Sequence, residues 1–521
     1  MSPPPAAPKG ASTHVDGFGG RFLVALACTL LGGCGGNSST SPTSAAGPDL
    51  GTLTAIDDSY ELKLGNASSG QLLSVASHSQ VAGANLELVA DSGSSAELWH
   101  VMPMGANTYN LENLLTHQVV GIADASTASG SPAVQWADNG TADHLWTFYA
   151  LDNGHFLIRN TNSGLFLQAD AVGASTIIDQ AARTASASGC ICQEWTITPT
   201  STASYASPIA ETGDGLGVHD PNLLRDNAGT FWLYGTHNTL ATSTDMHAFT
   251  SIAAGDISPD FDWWASKNTT SGNGRTDIWA PSVMFAGGTY YQYYSIPIYD
   301  TRSVVGTNQG AEAVIALATS ASPTGPWTDA GPIIASCGTR SGCTTTFNAI
   351  DPAPFMDASG NWWLAFGSWE DGIHVLQLDS HTGLRLASNS TLYDIAARGG
   401  AGEEGSFIFP WTVHGTPYFY YFASINDCCS GTASTYRIIV GRSTQPTGPY
   451  LDRGGLDLMN GGGTILLSSH GNIYGPGGQS VLSVGIQPIL VYHYYDGNAN
   501  GAPKLGLNNL YFDAMDWPYI N

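Results

Sequence analysis

The sequence predicts an all-β protein whose C-terminal part is a five-bladed β-propeller, and three observations carry that prediction. First, a short aromatic-rich phrase ending in a small or polar residue occurs five times: FWLYGT (231–236), TYYQYYS (289–295), NWWLAFGS (361–368), TPYFYYFAS (416–424) and PILVYHYYD (488–496). The copies begin roughly 55 to 75 residues apart, the length of a blade built from several strands. Second, the 521 residues include 63 glycines and only 11% charged side chains, a Gly-punctuated β composition rather than a helical one. Third, isolated carboxylates fall in different repeats. A propeller is the fold that brings such distant positions to one central axis.

At this length two domains are expected once a targeting segment is set aside. The balance of 16 basic to 42 acidic residues gives a net charge of −26. Such a chain repels nucleic acid and anionic membrane surfaces, so its partner is expected to be neutral or cationic.

At the N-terminus, Lys9 and Arg21 precede the apolar run FLVALACTLLGG (22–33). A run of about 12 residues suits the core of a signal peptide and is too short to span a bilayer. Leu31-Gly32-Gly33-Cys34 resembles a bacterial lipobox, which makes Cys34 the expected site of lipidation and the mature N-terminus. An ordinary secretory signal with Cys34 incidental is the alternative. Membrane attachment is expected only through this anchor. Residues 35–52, rich in Ser, Gly, Thr and Pro, read as a flexible tether. Export permits disulfides. Cys337 and Cys343 flank a short polar loop and form a plausible pair; Cys190 and Cys192 share one segment, and Cys428 and Cys429 are adjacent. These spacings do not suit a structural zinc site.

Residues 53–200 carry a different repeat. Glu97-Leu98-Trp99, His144-Leu145-Trp146 and Gln193-Glu194-Trp195 recur 47 and 49 residues apart, each after a Gly-rich stretch. The pattern resembles the ricin-type β-trefoil, in which a Trp from each lobe packs in a shared core. That resemblance implies a sugar-binding Asp early in each lobe, and alignment puts Ser74, Gly121 and Gln168 at those positions. A carboxylate that would accept sugar hydroxyls is therefore missing from each lobe, although Asp124 and Asp170 lie nearby. Glycan binding by this domain stands beside the alternative of a spacer or docking module.

After a small, polar linker near 200–210, residues 211–521 form the propeller. Its motifs, in order, are His219-Asp220-Pro221, Trp279-Ala280-Pro281, Asn348-Ala349-Ile350-Asp351-Pro352, Gly367-Ser368-Trp369 and Glu403-Glu404-Gly405. An Asp before Pro is extended and also caps turns, so neither Asp220 nor Asp351 identifies itself alone. Glu403 and Glu404 point to opposite faces of a strand, so one of them at most reaches the axis.

Taken together these motifs resemble glycoside hydrolase family 43. The stretches FNAIDPAPFMDASGNWWLAFGSWEDGIHVLQLDSHTG (347–383) and CCSGTASTYRIIVGRSTQPTGPYLDRGG (428–455) look most like its endo-1,5-α-L-arabinanases. The resemblance implies inverting hydrolysis of arabinan or arabino-oligosaccharides, with Asp220 as general base, Glu404 as general acid and Asp351 orienting the acid and raising its pKa. Trp279 and Trp369 become candidate sugar platforms, Asn348 and Ser368 candidate hydrogen-bonding partners, and His237 a candidate for the rim; each has core packing or a structural role as its rival. Many members hold a metal ion, usually calcium, near the axis with a histidine of a Gly-Pro-Gly-His segment. Here Gly478 takes the place of that histidine, so a calcium ion stays an open expectation, with His470 or His493 as possible substitutes. The alternatives kept are an exo-acting α-L-arabinofuranosidase or β-xylosidase, decided by the loops at 255–278 and 297–312, and a non-catalytic glycan-binding surface lipoprotein.

Overall fold

The computed structural model describes residues 49–105, 107–172, 175–183, 190–253, 278–297, 313–337 and 344–520. Cys34, Cys343 and most of the loops at 255–278 and 297–312 lie outside the described residues. Within them, regular structure consists of β-strands and single 3₁₀ turns.

Residues from Tyr60–Asn66 to Trp195–Ala203 form the trefoil, with Thr52–Thr54 added against Trp146–Ala150. The predicted tether therefore ends in a paired strand. Trp99, Trp146 and Trp195 are each 0% exposed and fill the shared core. Their indole N–H groups donate to the carbonyls of Leu73, Val120 and Leu167 at 3.1, 2.9 and 3.0 Å. A second threefold set accompanies them: the side-chain amides of Asn66, Asn113 and Asn160 donate to the carbonyls of Cys192, Ala96 and Asp143 at 2.9, 2.9 and 2.7 Å. Burial of a polar amide is tolerated because each meets a carbonyl that the lobe junction would otherwise leave unpaired.

The propeller has five sheets in chain order, antiparallel except that Thr212–Gly213 pairs parallel to Ala248–Ser251 in the first. Their innermost strands are Asn222–Arg225, Trp279–Ala286, Ala353–Met356, Glu403–Val413 and Ile473–Val484. The aromatic phrases form the second strand of each blade: Phe231–Gly235, Thr289–Pro297, Trp362–Phe366, Thr416–Ile425 and Gln487–Asp496. That placement explains their composition, since a second strand is covered on both faces by neighbouring blades. Blade five closes on blade one by packing: Val218, Leu223, Phe231 and Leu233 share a core with Leu482, Val491, Leu505 and Leu507. The N–H groups of Leu505 and Ile209 also bond the carbonyls of Leu216 and Leu507, at 2.8 and 2.7 Å.

Trefoil and propeller belong to one compact unit, Gly47–Asn521. The linker is held, not free. Its Tyr205 hydroxyl donates to Glu112 at 3.1 Å, and its ring lies between His100 of the trefoil and His470 of blade four, at centroid distances of 4.6 and 5.0 Å. Beside it, Arg437 of the propeller (1% exposed) reaches Asp138 of the trefoil at 3.2 Å and donates to the Asn110 side chain at 2.7 Å. Arg398 donates to the Asp138 carbonyl at 2.6 Å. Burial alone would raise the Asp138 carboxyl, but the charges of Arg437, His144 and Arg398 hold it well below the usual carboxylate range.

Candidate active site

Five equivalent residues open the innermost strands around the axis: Asp220, Ala280, Asp351, Gly405 and Gly478. All have left-handed backbones, with φ of 50°, 41°, 58°, 61° and 56°. With the two residues after each of them, they line a single cavity. In blades two, four and five the pairing register slips at this point, as in a β-bulge. Such a break turns a side chain out of the strand's plane and off the alternation that would bury it. Left-handed conformation is costly for a non-glycine residue and collects at functional sites, while Asp is among the residues that tolerate it best.

Hydrogen bonds tie the inner end of every blade to the next. Val283 N–H donates to Asn222 Oδ1 at 2.9 Å, and Asp351 N–H to Ser295 Oγ at 3.0 Å. Gly405 N–H donates to Asp351 Oδ2 at 2.9 Å. Gln479 Nε2 donates to the Gly405 carbonyl, and Ser480 Oγ to the Pro221 carbonyl, both at 2.7 Å. The ring is therefore preorganised by polar contacts, not by apolar packing alone.

Asp220 accepts from Thr236 Oγ1 at 2.5 Å, and the same Thr236 oxygen accepts Ala280 N–H at 2.9 Å. The Asp220 side chain remains 33% exposed. Its backbone N–H donates to His493 Nδ1 at 3.1 Å. Burial, then the neighbouring His219, pushes His493 well below its ordinary pKa, so this imidazole is neutral. Burial likewise lowers His219.

Glu404 sits one residue before the left-handed Gly405. Ser368 Oγ donates to Glu404 Oε2 at 2.6 Å, and the Tyr436 hydroxyl donates to Oε1. Burial raises the Glu404 pKa; the bonds from Ser368 and Tyr436 pull against it, and the charges of Asp220 and Asp427 add to it. Asp351 is pushed well above the carboxylate range by burial first, then by the charges of Glu404 and Asp220. Asp351 and Glu404 thus lie in one electrostatic field, and both resist ionisation. Asp220, Asp351 and Glu404 come from blades one, three and four and lie near enough for their charges to act on one another. Glu403 does not join them. It is 1% exposed, accepts from the Tyr421 hydroxyl at 2.8 Å, and lies 3.5 Å from Arg398 on the trefoil side.

Ser368 touches Glu404 directly. Trp279 is half-buried and precedes Ala280, whose N–H is held by Thr236. Trp369 is half-buried, and its N–H donates to the Glu403 carbonyl at 2.9 Å. His237 is exposed with φ 62°, close enough to His219 for the two to interact. Asn348 is buried at 7% exposed, and its Oδ1 has no hydrogen-bond partner among the described residues. Sequence reasoning missed Thr236, Tyr436 and Tyr495. Tyr436 and Tyr495 were hidden among 22 tyrosines. Thr236 directly follows an aromatic phrase, so its place at the end of a second strand was the available signal.

A calcium ion takes about six to eight oxygen ligands, waters and backbone carbonyls among them, and Gly478 brings no side chain to such a site. Among the described residues no group of three or more His, Cys, Asp or Glu forms a metal cage. A side chain at 478 has no room, because its Cβ would lie 2.5 Å from Asp220 Oδ1 and 2.8 Å from the His493 ring. His493 Nδ1 is engaged by Asp220 N–H, which places the ring proton on Nε2. His470 bonds the Ser468 carbonyl at 2.8 Å and packs against Tyr205, away from the axis.

In the trefoil, none of the three aligned sugar-binding positions offers a carboxylate. Ser74 is 0% exposed, and Gln168 accepts from Gln193 at 3.2 Å. At Gly121 any Cβ would lie 2.4 Å from the His144 ring, in the lobe that meets Arg437.

Comparison with known proteins agrees with this geometry. The model of "Ricin-type beta-trefoil lectin domain-like" matches residues 52–136 and 142–220. "Extracellular endo-alpha-(1->5)-L-arabinanase 1" of Bacillus subtilis is 37% identical over 308 residues, 58% of this chain and 87% of the relative. The structure of a "GH43 Endo-Arabinanase from Bacillus licheniformis" superposes with a TM-score of 0.51 at 36% identity, covering 60% of this chain and 99% of that one. An "Exo-1,5-alpha-L-arabinanase from Bovine Ruminal Metagenomic Library" gives a TM-score of 0.51 at 31% identity, over 58% and 97%. The model of "Glycosyl hydrolases family 43" matches residues 206–518, more than half of the chain and the whole of the propeller, and the protein belongs to that family.

Proposed function

We propose that this protein is an endo-acting, inverting hydrolase of α-1,5-L-arabinofuranosyl bonds in arabinan. The observation that carries the reading is the meeting of Asp220, Asp351 and Glu404, from three blades, at one end of the propeller axis. Asp220 is the general base. It is the most open of the three, it is held by Thr236, and the neutral His493 beside it supplies no competing positive charge. Glu404 is the general acid, because burial favours its protonated form, the form that can give a proton to a leaving oxygen. Asp351 is a positioning residue: it accepts the N–H of Gly405 and so fixes the strand that carries Glu404. Inversion requires a water between base and sugar, with the two carboxyl groups about 6.5–9.5 Å apart. Trp279, Trp369 and His237 surround the group where a neutral furanose chain would lie.

The relatives and solved structures named above are endo-arabinanases in two cases and an exo-arabinanase in the third, so the mode of attack is the point to test. Linear arabinan, branched arabinan, arabinoxylan and xylan are digested side by side. Mixed oligosaccharides from linear arabinan, with the anomeric configuration inverted by NMR, support the reading; exclusive release of arabinose converts it to exo action, and activity on xylan alone overturns it.

The trefoil acts as a docking module for the propeller, a role supported by the buried Asp138–Arg437 pair and by the missing carboxylates at Ser74, Gly121 and Gln168. Binding of the full chain to arabinan with the cleft blocked by oligosaccharide would contradict that role. The enzyme works outside the cytoplasm, held by a lipid on Cys34. The name of the Bacillus subtilis relative and the disulfides at Cys190–Cys192 and Cys428–Cys429 support export. Failure of Cys34→Ser to release the protein from membranes would remove the anchor from this account.

A further inference from the structure

The disulfide between Cys428 and Cys429 joins residues adjacent in the chain, with Cα atoms 3.8 Å apart. Cross-links stabilise mainly by closing long loops in the unfolded chain. This one closes none, so its reason lies elsewhere. It sits in the connection between the strands Thr416–Ile425 and Arg437–Ser443 of blade four. That connection leaves the sheet just after Ser424, the residue paired with Glu404.

Three contacts hold the bridge over the acid side of the carboxylate group. Cys429 N–H donates to the Tyr495 hydroxyl at 2.8 Å. Tyr495, 2% exposed, packs on His219 and His493 with centroids 5.5 Å away in each case, which ties it to the Asp220 side. On the other flank, Asn426 N–H donates to the Gly402 carbonyl at 3.1 Å, and a Cβ on Gly402 would lie 2.7 Å from the Trp369 ring. Asp427, between Asn426 and the bridge, is near enough to act on the charge of Glu404. Cys429 is nevertheless exposed, in a left-handed conformation at φ 66°, and Cys428 is half-buried. A rigid pair of sulfurs thus lies at the mouth of the cleft, between Trp369 and Tyr495.

We propose that the Cys428–Cys429 disulfide is a sugar platform, packing against the C–H face of the arabinofuranose unit that leaves from Glu404. Bridged sulfur is polarisable and apolar and carries no thiol hydrogen. It offers a flat, dry contact to a sugar face while leaving the ring hydroxyls to other partners, much as an aromatic ring does. The proposal rests on the hydrolase reading above, which assigns Glu404 to the leaving-group side.

The test compares wild type with Cys428→Ser/Cys429→Ser on two substrates: linear arabinan, whose leaving group is a sugar, and α-L-arabinofuranosyl fluoride, whose leaving group is not. The expected result is a fall in kcat/KM on arabinan of about five- to tenfold, carried mostly by KM, with the fluoride rate unchanged within twofold. An arabinan rate within twofold of wild type, or an equal fall on both substrates, overturns the proposal. Should the double variant not fold, the native enzyme is reduced with a phosphine, opening of the bridge is verified by mass, and the same two outcomes decide. Wild type that leaves arabinan uncut overturns the hydrolase reading itself, which keeps the two failures distinct.

Discussion

The trefoil and the propeller both arrange repeats around an axis, yet they use the axis in opposite ways. In the trefoil, equivalent positions carry equivalent residues: Trp99, Trp146 and Trp195 make one hydrogen bond three times over, and Asn66, Asn113 and Asn160 make another. In the propeller, the five left-handed positions carry Asp, Ala, Asp, Gly and Gly. Regular repetition fills a core; departure from it opens a site. The trefoil departs from its own symmetry too, but toward the propeller: the middle lobe has Gly121 under His144, and Asp138 beneath Arg437.

The largest effect that tests this contrast is loss of catalysis. Glu404→Gln and Asp220→Asn should each lower kcat on linear arabinan by about 100- to 10,000-fold, while Gln168→Ala, at an aligned sugar-binding position of the trefoil, should leave kcat unchanged. Near wild-type turnover in either carboxylate variant would remove the assigned roles.

Glycine gives the next comparison. Gly478→Ala places a methyl 2.5 Å from Asp220 Oδ1. Displacing a catalytic group by about 1 Å can cost 100-fold, so a fall in kcat approaching that size is expected. Gly70 has a similar backbone, φ 70°, but faces open space; Gly70→Ala should cost only about 1 kcal/mol of stability, read by chemical denaturation, with kcat intact.

The interface comes third. Asp138→Asn strands a buried guanidinium and should destabilise the protein by about 3 kcal/mol. The Asp138 carboxyl is depressed in the folded state, so its contribution is present above the ordinary carboxylate pKa and is lost as pH falls. The difference between wild type and variant, followed by denaturation across pH, should therefore shrink toward acid. A constant difference would mean that the pair with Arg437 is not the cause.

The smallest effect is the subtlest. Glu404 works protonated, so activity is present below its pKa and is lost as pH rises through it. Asp427→Asn removes a charge that raises this pKa and should move the alkaline limb of kcat/KM to lower pH. Ser368→Ala removes a hydrogen bond that lowers it and should move the limb to higher pH. Shifts of the same sign in both variants would disconnect the limb from Glu404.

Much of the architecture was legible because repeats state it in one dimension. The aromatic phrases marked every second strand, and the three Trp residues marked the trefoil core. Strand alternation allowed only one of Glu403 and Glu404 to reach the axis; the family resemblance, with the acid directly before Gly, singled out Glu404. What the sequence concealed were contacts made across blades. Thr236 gripping Asp220, Tyr436 on Glu404 and Tyr495 beneath the cysteine bridge have no local signature, since Thr and Tyr are ordinary strand residues. The linker hid its role for the same reason: STASYASP reads only as a small, polar segment, but Tyr205 is anchored between His100 and His470.

By itself, then, the sequence determined the fold class and singled out the candidate carboxylates, because periodic burial and chain-order motifs are local properties. Only the tertiary structure decided which carboxyls act on one another's charge and which is neutralised by an arginine. It also decided whether position 478 has room for a ligand and whether the trefoil is spacer or partner. Those outcomes depend on electric fields and close contacts between residues far apart in the chain, and such distances exist only once the chain has closed on itself.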